Sequence, residues 1–300
     1  IYAQDISQRS NKMLRLNLLL NGLVSSLDYA IQGDTLVAPY HKSVDGKQLR
    51  QFDFVVSNPP FKMDFSDTRD DIESRWGTSR FWAGIPKVPA KDKTSMAVYT
   101  CFIQHVINSI KEGGKGAIVV PTGFITAKSG IESKILKHIV DNRLVMGVVS
   151  MPSNVFANTG TSVYVLFFDK SAGKTENDKV ILIDASKLGT EGKDANGLKK
   201  TFLSAADIDL IVSTFRDKKV VEDFSVTPTF KEIEEKGYTL SAGQYFDIKI
   251  DYVDITADEF NAQMKSDTDE LKTMFEENQK LGEMVMEQLR MLKFDTNNND

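Results

Sequence analysis

The chain has 300 residues, of which 41% are hydrophobic and 26% are charged, as expected for one large globular domain or one domain with an appendage. Its net charge is −5, which argues against strong stand-alone nucleic-acid binding, because that binding needs Lys and Arg to neutralise phosphates. The sequence contains no apolar run long enough for a membrane span. The single cysteine, Cys101, cannot form an internal disulfide, so a reducing cytoplasm is expected, and the scattered histidines predict no metal site.

The first 40 residues carry one acidic candidate for a nucleotide-like ligand. Residues 1–5 are typical of a strand ending at Asp5, and apolar residues at helical spacing predict a helix from about Ser7 to Asn21. An acid between strand and helix holds ribose hydroxyls in doubly wound folds, although an exposed residue before a helix explains Asp5 equally well. Asp34 follows Gly33, and these residues alone indicate an ordinary Gly-Asp turn.

The most informative stretch runs from Asp53 to Phe61. The apolar run Phe54-Val55-Val56 predicts a strand buried on both faces of a parallel sheet. Two prolines after Asn58 then make a rigid turn at the carboxyl end of that strand, where ligands bind in open α/β sheets. The Asn58 side-chain oxygen and the Pro59 carbonyl are two acceptors suited to an amino group, and Phe61 offers a flat face to a planar ring such as a flipped base. A stiffened strand end with a core phenylalanine is the alternative.

The tetrapeptide Asn58-Pro59-Pro60-Phe61 resembles the catalytic motif of amino-group methyltransferases that use S-adenosylmethionine (AdoMet). With its surroundings, the chain resembles the modification (M) subunit of type I restriction–modification systems, which methylates the N6 amine of adenine in DNA. The resemblance implies an α/β fold with a Rossmann-like AdoMet-dependent methyltransferase core. It also implies a set of site residues: Asn58, Pro59, Pro60 and Phe61 as catalytic, and Asp5, Asp34 and Asn58 as cofactor-binding.

The family places a Gly-rich AdoMet turn before the strand that carries the first acid. No Gly-x-Gly-like turn precedes Asp5. We therefore expect the sequence to begin inside the methyltransferase fold, as an N-terminally truncated core.

The middle of the chain predicts further βαβ steps. Residues 62–93 show mixed charge without a clear period, which indicates a mobile lid beside the target base, and a plain flexible loop is the alternative. Helices are expected at Ser95–Lys111, Ile131–Asn142 and Ala205–Phe215, and strands at Ala117–Pro121, Leu144–Met151 and Val180–Ile183. Thr190 to Lys200 is rich in Gly and charge and predicts a surface loop.

A second aromatic candidate lies in the segment 152–162, which leads into the apolar run 163–168. This resembles the family's last sheet hairpin, whose final strand runs antiparallel. The resemblance implies that Phe156 stacks on the flipped base opposite Phe61. A core residue at a strand boundary is the alternative for Phe156.

The last 45 residues predict one long amphipathic helix from Thr256 to about Lys293. Its apolar residues form one stripe, and the rest of the helix surface is rich in Glu, Lys and Gln. The predicted organisation is a methyltransferase domain over residues 1–250 and this helix within 251–300. The helix either packs in cis or pairs with a partner. The resemblance implies four partners: DNA, the specificity (S) subunit, the restriction (R) subunit and a second M subunit.

The expected reaction is methyl transfer from AdoMet to adenine N6 in DNA. The same turn also suits another planar amine or amide, such as an RNA base or a protein glutamine. A hypothesis without enzyme activity is a non-catalytic assembly module, because the expected truncation and the long helix both allow it.

Overall fold

The computed structural model describes residues 1–156, 160–246 and 256–291. The chain divides into two compact units, Ile1–Phe246 and Asp247–Asp300. The first unit is a mixed α/β structure, and the second contains one long helix.

The first unit contains ten strands and six helices among its described residues. The strands are β1 (Ala3–Asp5), β2 (Ala30–Gln32), β3 (Phe52–Ser57), β4 (Ile110–Pro121), β5 (Val145–Ser150), β6 (Val163–Asp169), β7 (Ile181–Asp184), β8 (Thr190–Lys193), β9 (Lys199–Phe202) and β10 (Ser225–Val226). The helices are α1 (Gln8–Leu20), α2 (Ser66–Arg80), α3 (Tyr99–Ser109), α4 (Gly130–Asp141), α5 (Ala205–Asp217) and α6 (Phe230–Glu235), and the second unit contains α7 (Ala257–Met291).

The central sheet has six strands in the order β10-β7-β5-β6-β4-β3. Strand β3 is parallel to β4, and β5 is parallel to β7, whereas β6 runs antiparallel between β4 and β5. Strands β3, β4, β5 and β7 therefore end at one edge of the sheet, after Ser57, Pro121, Ser150 and Asp184. We call this the carboxyl edge. The expected antiparallel strand at residues 163–168 is confirmed.

The core lies on both faces of the central strands. Ile118, Val120, Val148 and Leu166 are fully or almost fully buried in the sheet, and helices α3 and α4 contribute side chains such as Ile103 and Ile139. Side-chain hydrogen bonds to the backbone stabilise helix starts. At the start of α5, Ser204 and Asp207 form a capping box, in which the side chain of each residue accepts a hydrogen bond from the backbone N–H of the other. The expected α/β fold class is confirmed.

Strand β3 differs from its predicted environment. It is the last strand of the central sheet, and the side chains of Phe54 and Val56 are 77% and 82% exposed. The prediction of a strand buried on both faces is wrong for this structure, because within the described residues no further element covers that face of β3.

Strands β1 and β2 form a separate two-stranded parallel sheet. Side chains connect its amino end to the amino end of β3, since the rings of Tyr2 and Phe52 lie 5.2 Å apart and the Arg50 guanidinium lies 4.3 Å from the Tyr2 ring centroid. The first acidic strand and the helix after it are both confirmed.

Two predicted loops contain regular structure. Residues 62–93 include helix α2, whose Ile72 is buried together with Phe65 and Phe81, so the expectation of an irregular stretch is wrong. A kink at Gly77 (φ 39°, ψ −138°) interrupts the helical period and hides it in the sequence. The predicted surface loop at Thr190–Lys200 is the β8–β9 hairpin.

In the second unit, α7 spans Ala257–Met291, which confirms the long terminal helix. Among the described residues, no helix is both long enough and apolar enough to cross a membrane.

Candidate functional site

The Asn58–Phe61 turn begins one residue after β3, at the carboxyl edge. Asn58 and Pro60 are exposed, whereas Pro59 is buried and anchors the turn. Within the described part of the chain, the Asn58 side chain makes no hydrogen bond. The turn is tied to the segment just before α3, because the Met63 N–H donates to the Met96 carbonyl at 3.1 Å. A rigid turn thus presents an uncommitted amide and the Pro59 carbonyl.

Phe61 begins a row of aromatic rings that leads into the core. Its ring lies edge-to-face with Tyr99 at 6.3 Å, and Tyr99 lies edge-to-face with Phe124 at 6.1 Å. The Tyr99 hydroxyl donates to Glu132 Oε1 at 3.3 Å, and burial raises the pKa of Tyr99. Phe61 itself is only half-buried, so the neighbouring rings fix it while part of its surface stays accessible at the turn.

Phe156 lies in the loop after β5, also at the carboxyl edge, and is half-buried. Strands β5 and β3 are three spacings apart in the sheet, which corresponds to about 14 Å. Thr122 after β4 donates to the Ser162 carbonyl at 2.7 Å, so the chain leading into β6 returns towards β4. No ring contact joins Phe156 to Phe61 among the described residues, and its stacking role stays a prediction.

Asp5 is the last residue of β1, and Asp34 lies two residues after the end of the parallel strand β2. Asp5 stands opposite Gln32 in the register, and the Gly33 N–H donates to the Asp5 carbonyl at 3.0 Å. Asp5 Oδ1 accepts from the Ser7 N–H at 2.7 Å, and Asp34 Oδ1 accepts from two N–H groups. Within the described residues, Oδ2 of each acid has no hydrogen bond. Two half-buried carboxylates with one uncommitted oxygen each fit a ligand that carries hydroxyl and amino donors.

Helix α2 fixes the turn that carries Asp34, and the sequence did not indicate this. Trp76 Nε1 donates to the Val37 carbonyl at 3.0 Å, and Arg80 donates to the carbonyls of Leu36 and Thr35, both at 2.8 Å. The backbone after Asp34 is thereby held through three consecutive carbonyl groups.

Arg80 is buried, with 2% of its surface exposed, and burial lowers its pKa to about 10. Its Nη2 lies 2.7 Å from His105 Nδ1. Because an arginine only donates, Nδ1 accepts, and His105 is therefore neutral with its proton on Nε2. Burial and the adjacent guanidinium lower the His105 pKa well below its ordinary value.

The same helix contacts the segment that follows the Asn58 turn. Leu36 from the Asp34 turn and Phe65, which follows the Asn58 turn, share one small buried cluster with Ile72 of α2. We call α2 the brace, because its side chains connect the Asp34 turn to the Asn58 turn although the two belong to separate sheets. No local signal marks Arg80 as a candidate, since its carbonyl partners lie 44 and 45 residues away in sequence.

The described residues contain no group of three or more His, Cys, Asp or Glu side chains that could hold a metal ion.

Known proteins resemble this chain over most of its length. The methylase subunit of the type I restriction enzyme MjaIX from Methanocaldococcus jannaschii is 29% identical over 310 residues, covering 98% of this chain and 50% of that relative. The methylase subunit of the type I restriction enzyme MpnII from Mycoplasma pneumoniae is 29% identical over 251 residues, covering 81% of this chain and 42% of the relative. The chain thus spans about half the length of the curated relatives that it matches.

A solved structure shares the fold. The methyltransferase subunit of a type I restriction-modification system from Streptococcus thermophilus matches with a TM-score of 0.64 at 24% identity, covering 83% of this chain and 48% of that one. The family model described as N-6 DNA Methylase matches residues 1–251. This chain therefore belongs to the N-6 DNA methylase family.

Proposed function

We propose that the protein transfers a methyl group to the N6 amine of adenine in DNA, as the modification subunit of a type I restriction–modification enzyme. The observation that carries this proposal is the turn after β3, where Asn58 is exposed and its amide is uncommitted at the carboxyl edge. An exocyclic amine is a poor nucleophile, because its lone pair is delocalised into the ring. Hydrogen bonds from N6–H to Asn58 Oδ1 and to the Pro59 carbonyl draw the nitrogen towards tetrahedral geometry. These oxygens also place negative potential where positive charge develops.

Aromatic side chains position the base. Adenine must leave the duplex stack to reach the turn, and Phe61 supplies a fixed ring beside Asn58. Stacking on an aromatic side chain is worth about 1–3 kcal/mol per base. In this proposal, Phe156 covers the other face of the base from the loop after β5.

AdoMet supplies an electrophilic methyl group when it is bound. The uncommitted carboxylate oxygens of Asp5 and Asp34 would hold its ribose hydroxyls and its adenine amine, respectively, and Asn58 would contribute to both the cofactor site and the base site. The brace holds the Asp34 turn in place for this contact.

The relatives named above are methylase subunits of type I restriction enzymes. By analogy, we propose that a specificity subunit selects the DNA sequence, that a second modification subunit and a restriction subunit complete the assembly, and that the complex works in the cytoplasm. The apolar stripe of α7 is the proposed contact with the specificity subunit.

The product identifies the activity. We expect that the natural protein, purified with the partners encoded beside it and incubated with unmethylated genomic DNA and AdoMet, produces N6-methyladenine detectable by mass spectrometry of the digested nucleosides. Methylation of cytosine, of RNA or of a protein glutamine, with unmodified adenine, would contradict the proposal.

A further inference from the structure

The β8–β9 hairpin lies at the same edge as the catalytic turn. It follows β7, whose carboxyl end belongs to the carboxyl edge. The Thr201 N–H donates to the Asn154 carbonyl at 3.1 Å, which joins the hairpin to the loop after β5. The hairpin therefore stands on the side of the sheet from which any substrate reaches Asn58.

Two lysines face each other on this hairpin. Lys193 is directly opposite Lys199 in the antiparallel register, and both side chains are exposed. Side chains in such pairs lie about 5 Å apart, and like charges there destabilise the hairpin. In the part of the chain that the structure describes, neither lysine takes part in an ion pair.

The hairpin also carries two acids, Glu191 and Asp194. Asp194 Oδ1 accepts the N–H groups of Asn196 and Leu198 at 2.8 and 2.9 Å, so that carboxylate serves the turn. A third cation, Lys200, lies 5.3 Å from the ring centroid of Phe202. The hairpin thus carries three lysines against two acids, which is a local excess of positive charge on a protein whose net charge is −5, and an excess of this sign suits a polyanion.

The distance across the sheet from β7, which precedes the hairpin, to β3, which precedes the Asn58 turn, suits duplex DNA in particular. Strand β7 lies four positions from β3 in the sheet, or about 19 Å. Along DNA, about 19 Å corresponds to 5–6 base pairs at about 3.4 Å each. A duplex that delivers a base to Asn58 and runs along the carboxyl edge therefore brings its phosphates to the hairpin.

We propose that the β8–β9 hairpin binds the phosphate backbone of duplex DNA, within about one helical turn of the flipped base, through Lys193 and Lys199. The inference rests on the proposed function, since it takes DNA as the substrate of the Asn58 turn. Phosphate contacts fix the position of the duplex without reading its sequence. In a protein with a negative net charge, these contacts hold the DNA beside the Asn58 turn.

The test compares two double variants of the natural protein in its complex. Lys193→Gln/Lys199→Gln removes the facing lysines. Lys179→Gln/Lys218→Gln removes the same charge near the amino end of β7, where Lys218 Nζ donates to the Lys179 carbonyl at 2.7 Å. Affinity for a duplex carrying the target site is measured across a range of salt concentrations, together with the melting temperature.

We expect the hairpin variant to bind DNA several-fold more weakly at low salt. The slope of log affinity against log salt should fall by about 0.9 for each phosphate that the variant no longer neutralises, while the control keeps the wild-type slope. The melting temperature of the hairpin variant should equal or exceed that of the wild type, because the like-charge pair is gone. A salt slope and an affinity equal to those of the control would overturn the proposal.

Failure of the proposed function gives a different set of results from failure of the hairpin proposal. If the wild type yields no N6-methyladenine but the hairpin variant still binds DNA more weakly and with a smaller salt slope, the methylation proposal fails and the hairpin proposal stands. If the wild-type complex binds no duplex at any salt concentration, the hairpin proposal is overturned as well.

Discussion

At the scale of single residues, Phe61 combines a structural contact with an accessible surface. Replacing it with alanine removes the stacking face, so we expect the affinity for the flipped base to fall about 5- to 150-fold, equivalent to about 1–3 kcal/mol. Fluorescence of a DNA substrate with 2-aminopurine at the target position measures the flipped population. Phe61→Tyr keeps the ring and should behave like the wild type. Unchanged flipping and rate in Phe61→Ala would contradict the stacking role.

His105 makes the stability of the fold depend on pH. Its folded-state pKa lies well below the ordinary value of 6.5, so below about pH 6.5 the unfolded chain binds a proton that the native protein does not. The contribution of the neutral His105 to the free energy of unfolding is therefore present above pH 6.5 and is lost as the pH falls. Between pH 7 and pH 5.5 the loss should approach about 1.4 kcal/mol from this residue.

Urea unfolding at the two pH values measures this loss, and His105→Gln should show a smaller difference than the wild type. His138 acts in the same direction, because burial lowers its pKa as well, so part of the dependence remains in the variant. An equal pH dependence in both proteins would contradict the assignment of a neutral His105.

The candidate residues of the Asn58 turn could be proposed from the sequence, and the residues that hold the Asp34 turn could not. Asn58 to Phe61 are contiguous, and two prolines restrict their backbone whatever surrounds them. Arg80 acquires its role only when folding brings the carbonyls of Thr35 and Leu36 to it. In the sequence it is one of several basic residues in a charged stretch, and that stretch itself is typical of a loop.

At the scale of elements, the brace is expected to control cofactor affinity. Trp76→Phe keeps an aromatic ring in the small cluster but removes the hydrogen bond to the Val37 carbonyl. A neutral hydrogen bond contributes about 0.5–1.5 kcal/mol, so AdoMet affinity should weaken about 2- to 10-fold. The turnover rate at saturating AdoMet should change less, because the catalytic turn is untouched.

Trp82→Phe is the matched control for the brace. Trp82 stacks on His138 at 3.8 Å, and none of its contacts among the described residues involves the Asp34 turn. Calorimetric titration of AdoMet into both variants decides the question. Equal affinities in the two variants would show that the brace does not act on the cofactor side.

Elements with an uninterrupted period were predictable, and those that depend on neighbours were not. Helices α1, α5 and α7 follow directly from apolar spacing. The run Phe54-Val55-Val56 predicted a strand correctly, but its burial depends on what lies on either side, and β3 is an edge strand here. The β8–β9 hairpin escaped prediction because Gly192 and paired lysines replace the usual alternation of apolar residues.

At the scale of the whole molecule, α7 is the element proposed to join the chain to a partner. Met264, Leu271, Met274, Leu281 and Val285 recur at intervals of three, four and seven residues, which places them on one face of the helix. Leu271→Glu/Leu281→Glu should abolish co-purification with the specificity subunit, because two charges would enter an apolar contact.

Ser266→Glu/Thr273→Glu adds the same charge to a different face of α7 and should leave co-purification intact. Size-exclusion chromatography of the co-expressed subunits measures both pairs. Retention of the specificity subunit by the Leu271/Leu281 variant would contradict the proposed contact.

The most direct test of the account is the rate of methyl transfer to DNA by the natural complex carrying Asn58→Ala. We expect N6-methyladenine formation to fall at least about 100-fold, while AdoMet affinity and subunit assembly stay near wild type, because Asn58 is exposed and makes no hydrogen bond within the described structure. Formation of N6-methyladenine at the wild-type rate by the variant would contradict the assignment of this turn as the catalytic site.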